Sequence, residues 1–328
     1  MFLDARRPLT HTQALSILCS MNRLSIERRA QIISLLEGSG INSITRITGV
    51  SVHTVLKLLA DVGEACQQYQ DQHLRGLNCR RIQCDEIWAF CYAKQRNLRD
   101  ELRDRLGFGD VWTWTSIDAE TKLVPCWYVG RRDSQAATTF MRDLASRLAN
   151  PVQLTTDGHH AYLDAVDAAF PHELDYAMLV KMYGTPPDGQ RRYTPSVCLS
   201  TERKVMRGNP DPDHINTSFV ERQNLTMRMG MRRFTRLTNA HSKKLANHKH
   251  AVALHFMHYN FARICQTVRC SPAMAARVSD HLWSIGETGA ASLLIPNAPE
   301  CVACTYVACC RLTGNARCLQ FGNVRDDW

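Results

Sequence analysis

Apolar residues recur every three or four positions along the first part of the chain. The segment SIERRAQIISLLE, residues 25–37, has this spacing and is followed by Gly-Ser-Gly, which predicts a helix that ends there. The same spacing occurs twice in INSITRITGVSVHTVLKLLADVG, on either side of Gly49. Two helices joined by a tight turn form the helix-turn-helix pattern, so we expect a DNA-reading helix over about 51–61. Its outward polar side chains would be Ser51, His53, Thr54 and Lys57. A three-helix bundle with no DNA-binding role remains the alternative.

The patterns typical of a sheet begin after residue 79. RRIQCDEIWAFCY predicts a first strand, DVWTWTSID and LVPCWYVG predict a hairpin, and VQLTT and LDYAMLVKMYG predict two further strands. Between them we expect two helices, one beginning after Asp133 and one ending near Phe170. This order predicts an α/β (α+β) fold, in which helices cover the faces of a mixed sheet.

The second half of the chain is less regular. Residues 184–215 are rich in proline, glycine and charge, which predicts a long inserted loop. Helical spacing returns at about 216–230 and 239–270 and fades beyond Ser271. We therefore divide the chain into a helical domain (1–63), a polar helical linker (64–79), a sheet domain (80–270) and a C-terminal tail (271–328).

Composition adds an expected partner and an expected compartment. The chain has 328 residues, of which 45% are hydrophobic, and a formal charge of +9 at pH 7. The positive balance favours an anionic partner such as nucleic acid, although it also serves solubility. No run of about 18 apolar residues or signal-peptide core is present, so neither a membrane span nor secretion is expected. Most of the 14 cysteines are scattered, as in reduced cytosolic proteins. The tail motif CVACTYVACC leaves a zinc site open, although its adjacent Cys309 and Cys310 depart from the usual ligand spacing.

One stretch concentrates positive charge. From Arg222 to Lys249 the chain has no acidic residue. Positive charges in such a run repel one another unless an anion lies on them, so we expect this stretch to contact DNA phosphates. Its bases are Arg222, Arg228, Arg232, Arg233, Arg236, Lys243, Lys244 and Lys249.

Three carboxylates stand at informative places along this pattern. Asp85 lies in the first predicted strand, Asp157 directly follows another strand, and Glu221 lies near the start of the helix that opens the basic stretch. Ligand sites in open sheets form beyond the strand ends, so a fold can gather all three. Carboxylates suit Mg²⁺ or Mn²⁺, and two such ions support phosphoryl displacement. Each residue also has a structural alternative: a strand end, an Asp-Gly turn, and a capping box with Ser218.

Several other residues invite a functional interpretation. His159 and His160 follow Asp157 and are interpreted as a polar helix start rather than as proton-transfer groups. The histidines of the last long helix, including His248 and His255, are expected to pack or contact phosphate rather than bind a metal. The tryptophans of the hairpin are expected to be core or interface residues, namely Trp112, Trp114 and Trp127.

Taken together, these segments resemble a known family. CDEIWAF (84–90), TTDGHHAY (155–162) and NTSFVERQNLTMRMGMRRFTRLT (216–238), in this order, resemble the catalytic segments of transposases of the insertion sequence 1 family. The resemblance spans about residues 24–265 and extends to the helix-turn-helix. It implies an RNase H-like catalytic domain with a DDE triad, matched here by Asp85, Asp157 and Glu221, and two Mg²⁺ or Mn²⁺ ions per active site.

The same resemblance implies a function. A strand of double-stranded DNA would be cleaved at each transposon end, and the freed 3′-OH would attack target DNA. Because two ends must be cut together, the resemblance implies a homo-oligomer. It also implies a location in the bacterial cytoplasm, in association with the nucleoid. From helical spacing we further expect Arg222, Asn224 and Arg228 to contact phosphates. The alternatives are a non-catalytic helix-turn-helix regulator, an inactive transposase remnant, and a nuclease or junction resolvase that cuts without joining.

Overall fold

The protein folds around one six-stranded sheet flanked by helices. The computed structural model describes residues 24–171, 173–184, 198–235 and 239–288. From Ile26 onward these residues belong to one compact unit. The predicted phosphate contact Arg236 and the cysteine-rich tail lie outside the described residues. No helix of the described residues is both long enough and apolar enough to span a bilayer.

The elements follow the chain as expected in most places. The helices are α1 (Ile26–Gly38), α2 (Ile41–Thr48), α3 (Val52–His73), α4 (Asp100–Arg103), α5 (Ser134–Arg147), α6 (Ala161–Ala169), α7 (Ser218–Gly230), α8 (Leu245–Met257) and α9 (Pro272–Ala275). The strands are β1 (Arg81–Cys91), β2 (Gly109–Asp118), β3 (Trp127–Gly130), β4 (Gln153–Asp157), β5 (Asp175–Tyr183) and β6 (Cys198–Arg207). Short 3-10 or π-helical turns occur at Gln95–Asn97, Pro212–His214, Arg232–Phe234 and His258–Ala262.

The N-terminal helices begin and end where the sequence places their caps. Gly49 ends α2 in the left-handed region, at a φ of 69°, where a residue with a side chain would be strained. Ser51 then caps α3, because its hydroxyl accepts a hydrogen bond from the Thr54 amide at 3.2 Å. The described residues thus contain two helices joined by a tight turn, while their use in DNA binding stays a prediction.

Most of the segment predicted as a linker (64–79) belongs to α3, which continues to His73. Ala65, Cys66 and Gln70 are buried on it. The buried side packs on α8, where the Gln70 side-chain amide donates to the Ala253 carbonyl at 3.0 Å. At Gly63 the two helices approach so closely that an added Cβ would lie 2.4 Å from the Cβ of His250. The polar composition of 64–79 concealed this buried stripe.

The sheet has the mixed topology that the fold class requires. Its strand order is β3-β2-β1-β4-β5-β6. β1, β4 and β5 run parallel, whereas β2, β3 and β6 run antiparallel to their neighbours. This mixed α/β arrangement confirms the predicted fold class and is consistent with an RNase H-like fold.

Each face of the sheet is covered by different helices. Successive strand residues point to opposite faces. On one face Trp114, which is fully buried, lies 6.1 Å from the ring of Phe140 in α5 and 5.4 Å from the ring of Tyr162 in α6. On the other face the side-chain oxygen Oε1 of Gln83 accepts hydrogen bonds from the Phe219 and Val220 backbone amides at the start of α7. The expectation that Trp114 belongs to the core is confirmed.

Two predicted elements differ from the structure. The predicted loop 184–215 contains β6, which pairs antiparallel with β5. Nearly all β6 residues are exposed, including Leu199 and Val205, so no alternation of apolar and polar positions marked the strand. The predicted helix 239–270 is shorter, because α8 ends at Met257 and passes through a π-helical turn.

A partly buried contact between a carboxylate and two histidines joins α1 to the end of α8. Glu37 Oε1 lies 2.7 Å from His255 Nδ1 and 3.6 Å from His258 Nδ1. Burial alone raises the pKa of Glu37, but the charges of the two histidines and their hydrogen bonds outweigh it and lower the pKa to about 2. The predicted packing role of His255 is therefore a polar one.

The Glu37 pair predicts a specific acid sensitivity. A carboxyl whose pKa is lowered in the folded state contributes stability above its unfolded pKa of about 4.5, and this contribution is lost as pH falls towards 2. Glu37→Gln should lower the free energy of unfolding by roughly 1–3 kcal/mol near neutral pH. In urea titrations, the gap between Glu37→Gln and the unsubstituted protein should narrow below about pH 4.5. The control Glu101→Gln, at an exposed carboxyl, should show no gap. If the difference in unfolding free energy between the two proteins is the same near neutral pH and below about pH 4.5, this account is wrong.

Candidate active site

The candidate site lies where β1 and β4 stop pairing. The two parallel strands are bonded from Arg81 and Gln153 up to Cys84 and Thr156. Asp85 and Asp157 are the next residues on each strand. A cleft of about 520 Å³ opens at this edge. It is lined by residues that include Asp85, Arg132, Asp157, Lys181, Thr217 and Glu221.

The three predicted carboxylates therefore line one cleft. Asp85 comes from β1, Asp157 ends β4, and Glu221 comes from the first turn of α7. They are far apart in sequence and are brought together by the register of the sheet and by the bonds of Gln83 to α7.

Asp85 is held by hydrogen bonds to both carboxylate oxygens. Oδ1 accepts from the Glu86 amide at 2.8 Å, and Oδ2 accepts from the Asn224 side-chain amide at 2.9 Å. Burial, together with the nearby charges of Asp157 and Glu221, raises the pKa of Asp85 to about 7, although the two hydrogen bonds lower it. A cation bound here would remove the electrostatic cost of ionising Asp85.

Asp157 is oriented by its own turn and faces a guanidinium. Its Oδ1 accepts from the His159 amide at 3.1 Å, as expected of an Asp-Gly turn. Its Oδ2 lies 3.6 Å from Arg132 Nη2. The side chain of Asp157 is one-third exposed, so it faces the cleft rather than the core. The turn and the cleft position are thus compatible with one another.

Glu221 is engaged by two neighbours on the far side of the cleft. Its Oε1 accepts from the Thr217 hydroxyl and pairs with Lys181 Nζ from β5. The capping box with Ser218 is not formed, because the Ser218 backbone amide and hydroxyl both donate to the Asn216 side-chain oxygen, at 3.4 Å and 2.8 Å. The Glu221 carboxylate is therefore directed into the cleft.

Glu86 is a fourth carboxylate at the site, and the sequence analysis missed it. Its side chain is only 1% exposed, and its Oε2 accepts from Arg132 Nε at 3.0 Å. Burial raises the pKa of Glu86 to about 8, with the charge of Asp157 as the next cause. Strand alternation assigns Glu86 to the face opposite Asp85, so sequence position alone pointed away from the site.

The donor set fits a hard divalent cation. One carboxylate oxygen each of Asp85, Glu86 and Asp157 lie within 4.8 Å of one another. Among the residues that the structure describes, this is the group of side chains close enough together to hold a metal ion. Mg²⁺ and Mn²⁺ prefer such oxygen ligands. Buried oxygens of Glu86 and Asn224 lack a hydrogen-bond partner, as expected beside a ligand site.

The predicted DNA-contacting residues divide into exposed and enclosed sets. Asn224, expected to contact phosphate, is buried and donates to Asp85 instead. Arg233 is half-buried and donates to the Ser242 hydroxyl at 2.9 Å. Arg228 is partly exposed. The exposed members are Ser51, His53, Thr54, Lys57, Arg222, Arg232, Lys243 and Lys244.

The histidines are placed mainly by packing. His159 stacks against Trp114 with ring centroids 5.9 Å apart, whereas His160 is exposed at the cleft. His248 is fully buried, and its Nδ1 lies 2.9 Å from the Ser242 hydroxyl. Burial lowers the pKa of His248 to about 3, so it is a neutral core residue. The packing interpretation of His248 is confirmed.

Comparison with known proteins adds one finding to this geometry. Residues 105–184 match the family DDE_Tnp_IS240, described as a DDE domain. The matched stretch is about a quarter of the chain, and it includes Asp157 but neither Asp85 nor Glu221. A comparison with curated proteins finds no match. The family match supports a DDE transposase and, more generally, an enzyme that cleaves nucleic acid.

Proposed function

We propose that this protein is a DDE transposase of the insertion sequence 1 type, which cleaves DNA strands at transposon ends and joins the freed 3′-OH to target DNA. The observation that carries the proposal is the convergence of Asp85, Asp157 and Glu221 on one cleft. The DDE domain match over 105–184 covers part of the same sheet and supports this chemistry.

The proposed catalytic residues would act by holding Mg²⁺ or Mn²⁺, two ions per site, at Asp85, Asp157 and Glu221. When bound, two such ions stabilise the negative charge on the attacking and leaving oxygens of an in-line displacement. The chain's own groups fix the ligands: Asn224 orients Asp85, and Lys181 orients Glu221.

The reaction needs no covalent enzyme nucleophile. In the first step water attacks the phosphorus at the transposon end, the bond to the 3′ oxygen breaks, and a 3′-OH and a 5′-phosphate result. In the second step that 3′-OH attacks a phosphodiester of target DNA, whose own 3′ oxygen leaves and takes up the proton. Both steps require that a polyanion be held against the carboxylates, which a basic surface provides.

Two surfaces would hold the DNA. The exposed amino end of α3 carries His53, Thr54 and Lys57, as a groove-reading helix requires. The exposed bases Arg232 and Lys243 would bind phosphates without reading sequence. We further propose a homo-oligomer, since two ends are cut together, acting at the nucleoid in a bacterial cytoplasm.

The three carboxylates should be needed for cleavage but not for binding. Asp85→Asn, Asp157→Asn and Glu221→Gln should each reduce strand cleavage of end-bearing DNA about 10³-fold, equivalent to ~4 kcal/mol of transition-state stabilisation. DNA affinity should persist, and the exposed Asp100→Asn should cleave normally. Cleavage is measured as 3′-OH release with Mg²⁺. A variant that cleaves at a near-normal rate would exclude that residue from the triad.

The same assay distinguishes the other candidate functions. A pure DNA-binding regulator would release no 3′-OH, and its footprint would be indifferent to a chelator. A resolvase-like nuclease would release 3′-OH ends but fail to join them to target DNA. Either result would overturn the transposase proposal.

Asn224 and Arg222 should separate positioning from phosphate contact. Asn224→Ala should lower cleavage roughly 10- to 100-fold and leave the DNA Kd unchanged, because Asn224 is buried against Asp85. The exposed neighbour Arg222→Ala should instead raise the DNA Kd and reduce the salt slope by about 1. Equal effects of both changes on DNA affinity would show that Asn224 contacts phosphate after all.

The two DNA surfaces should differ in sequence dependence. Lys57→Ala should weaken binding to a transposon-end duplex by about 1–3 kcal/mol more than binding to an unrelated duplex, if α3 reads base edges. Lys243→Ala should weaken both equally. Fluorescence anisotropy at several salt concentrations measures both. If Lys57→Ala also weakens both duplexes equally, α3 does not read sequence.

A further inference from the structure

Among the described residues, the carboxylates close enough to share one metal ion are not the proposed triad. One oxygen each of Asp85, Glu86 and Asp157 lie within 4.8 Å of one another, whereas Glu221 is engaged by Lys181 and Thr217. We propose that Glu86 is a fourth metal-binding carboxylate, which shares one divalent cation with Asp85 and Asp157. This inference rests on the proposed function and adds a ligand to its metal site.

The end of the β1–β4 pairing explains how neighbouring residues reach one point. Adjacent strand residues face opposite sides of a sheet, so Asp85 and Glu86 would normally be separated by the sheet itself. Here β4 ends at Asp157, and the parallel pairing stops one residue before Asp85. Beyond Asp157 no β4 strand lies beside β1, and the side chains of Asp85 and Glu86 both come close to that of Asp157.

The Glu86 carboxylate is half satisfied. Oε2 accepts from Arg132 Nε, whereas Oε1 is buried and makes no hydrogen bond of ordinary geometry, although the buried Tyr162 hydroxyl lies near the same carboxylate. The residue is only 8% exposed, so water cannot readily serve that oxygen. An unpaired buried acceptor costs about 1–3 kcal/mol, and more when it is charged. A cation on the side shared with Asp85 and Asp157 would remove that cost.

The net charge of this group also favours binding of a divalent cation. When ionised, the three carboxylates carry three negative charges, and the guanidinium of Arg132 offsets one of them. Arg132 is placed to serve two of the acids, 3.0 Å from Glu86 and 3.6 Å from Asp157, while it lies over the Trp112 ring at 4.7 Å. One divalent cation would offset the other two charges.

Mn²⁺ binding to the full chain without DNA tests the inference. Glu86→Gln keeps the side-chain volume and an acceptor for Arg132 but removes one charged ligand. It should raise the Mn²⁺ Kd, measured by electron paramagnetic resonance of free Mn²⁺, at least about tenfold. Arg132→Gln should leave the Kd unchanged or lower it, because it removes a competing cation. An unchanged Kd in Glu86→Gln, or an equal loss in Arg132→Gln, would overturn the proposal.

Two further variants make the outcomes separable. Asp157→Asn should abolish Mn²⁺ binding, and if it does while Glu86→Gln binds normally, the fourth ligand is wrong and the proposed function stands. If Asp85→Asn and Asp157→Asn also bind Mn²⁺ normally, the metal site of the proposed function is itself wrong. Should circular dichroism show that Glu86→Gln is unfolded, Glu86→Asp retains the charge on a shorter stem. It should still weaken Mn²⁺ binding, and an unchanged Kd there would count against the ligand.

Discussion

The parallel hydrogen bonding between β1 and β4 stops at Cys84 and Thr156, and the cleft exists because it stops there. Asp85 still pairs with β2 and Asp157 still pairs with β5, so only the β1–β4 pairing ends between them. Where the β1–β4 pairing ends, Asp85 and Asp157 line the cleft, and the hydrogen-bonded parts of both strands lie directly behind them. Gln83 lies two residues before Asp85 on β1 and accepts hydrogen bonds from the start of α7. The same strand therefore positions both Asp85 and the helix that carries Glu221.

Much of this arrangement was predictable from local patterns. Asp85, Asp157 and Glu221 each stood beside a strong signal, namely a strand, an Asp-Gly turn and a helix start. Such patterns involve residues close in sequence, so they can be recognised without knowing the fold. The fold class followed from the same alternation of strands and helices.

The parts that could not be predicted depend on distant contacts. Glu86 lies close to Asp85 and Asp157 at the point where β4 ends, and the pairing of Lys181 with Glu221 depends on the register of β5. The apolar face of α3 beyond Gly63 was obscured by glutamines, one of which is buried against α8. β6 gave no signal because neither of its faces is covered.

The unbroken course of α3 has a consequence for how a duplex would be held. At 22 residues the helix is about 33 Å long, and its carboxyl half is packed against α8 without room for a side chain at Gly63. Such close packing restricts movement of α3 relative to α8. If the amino end of α3 binds DNA as proposed, the helix rather than a flexible linker would set the distance between the bound base pairs and the rest of the protein.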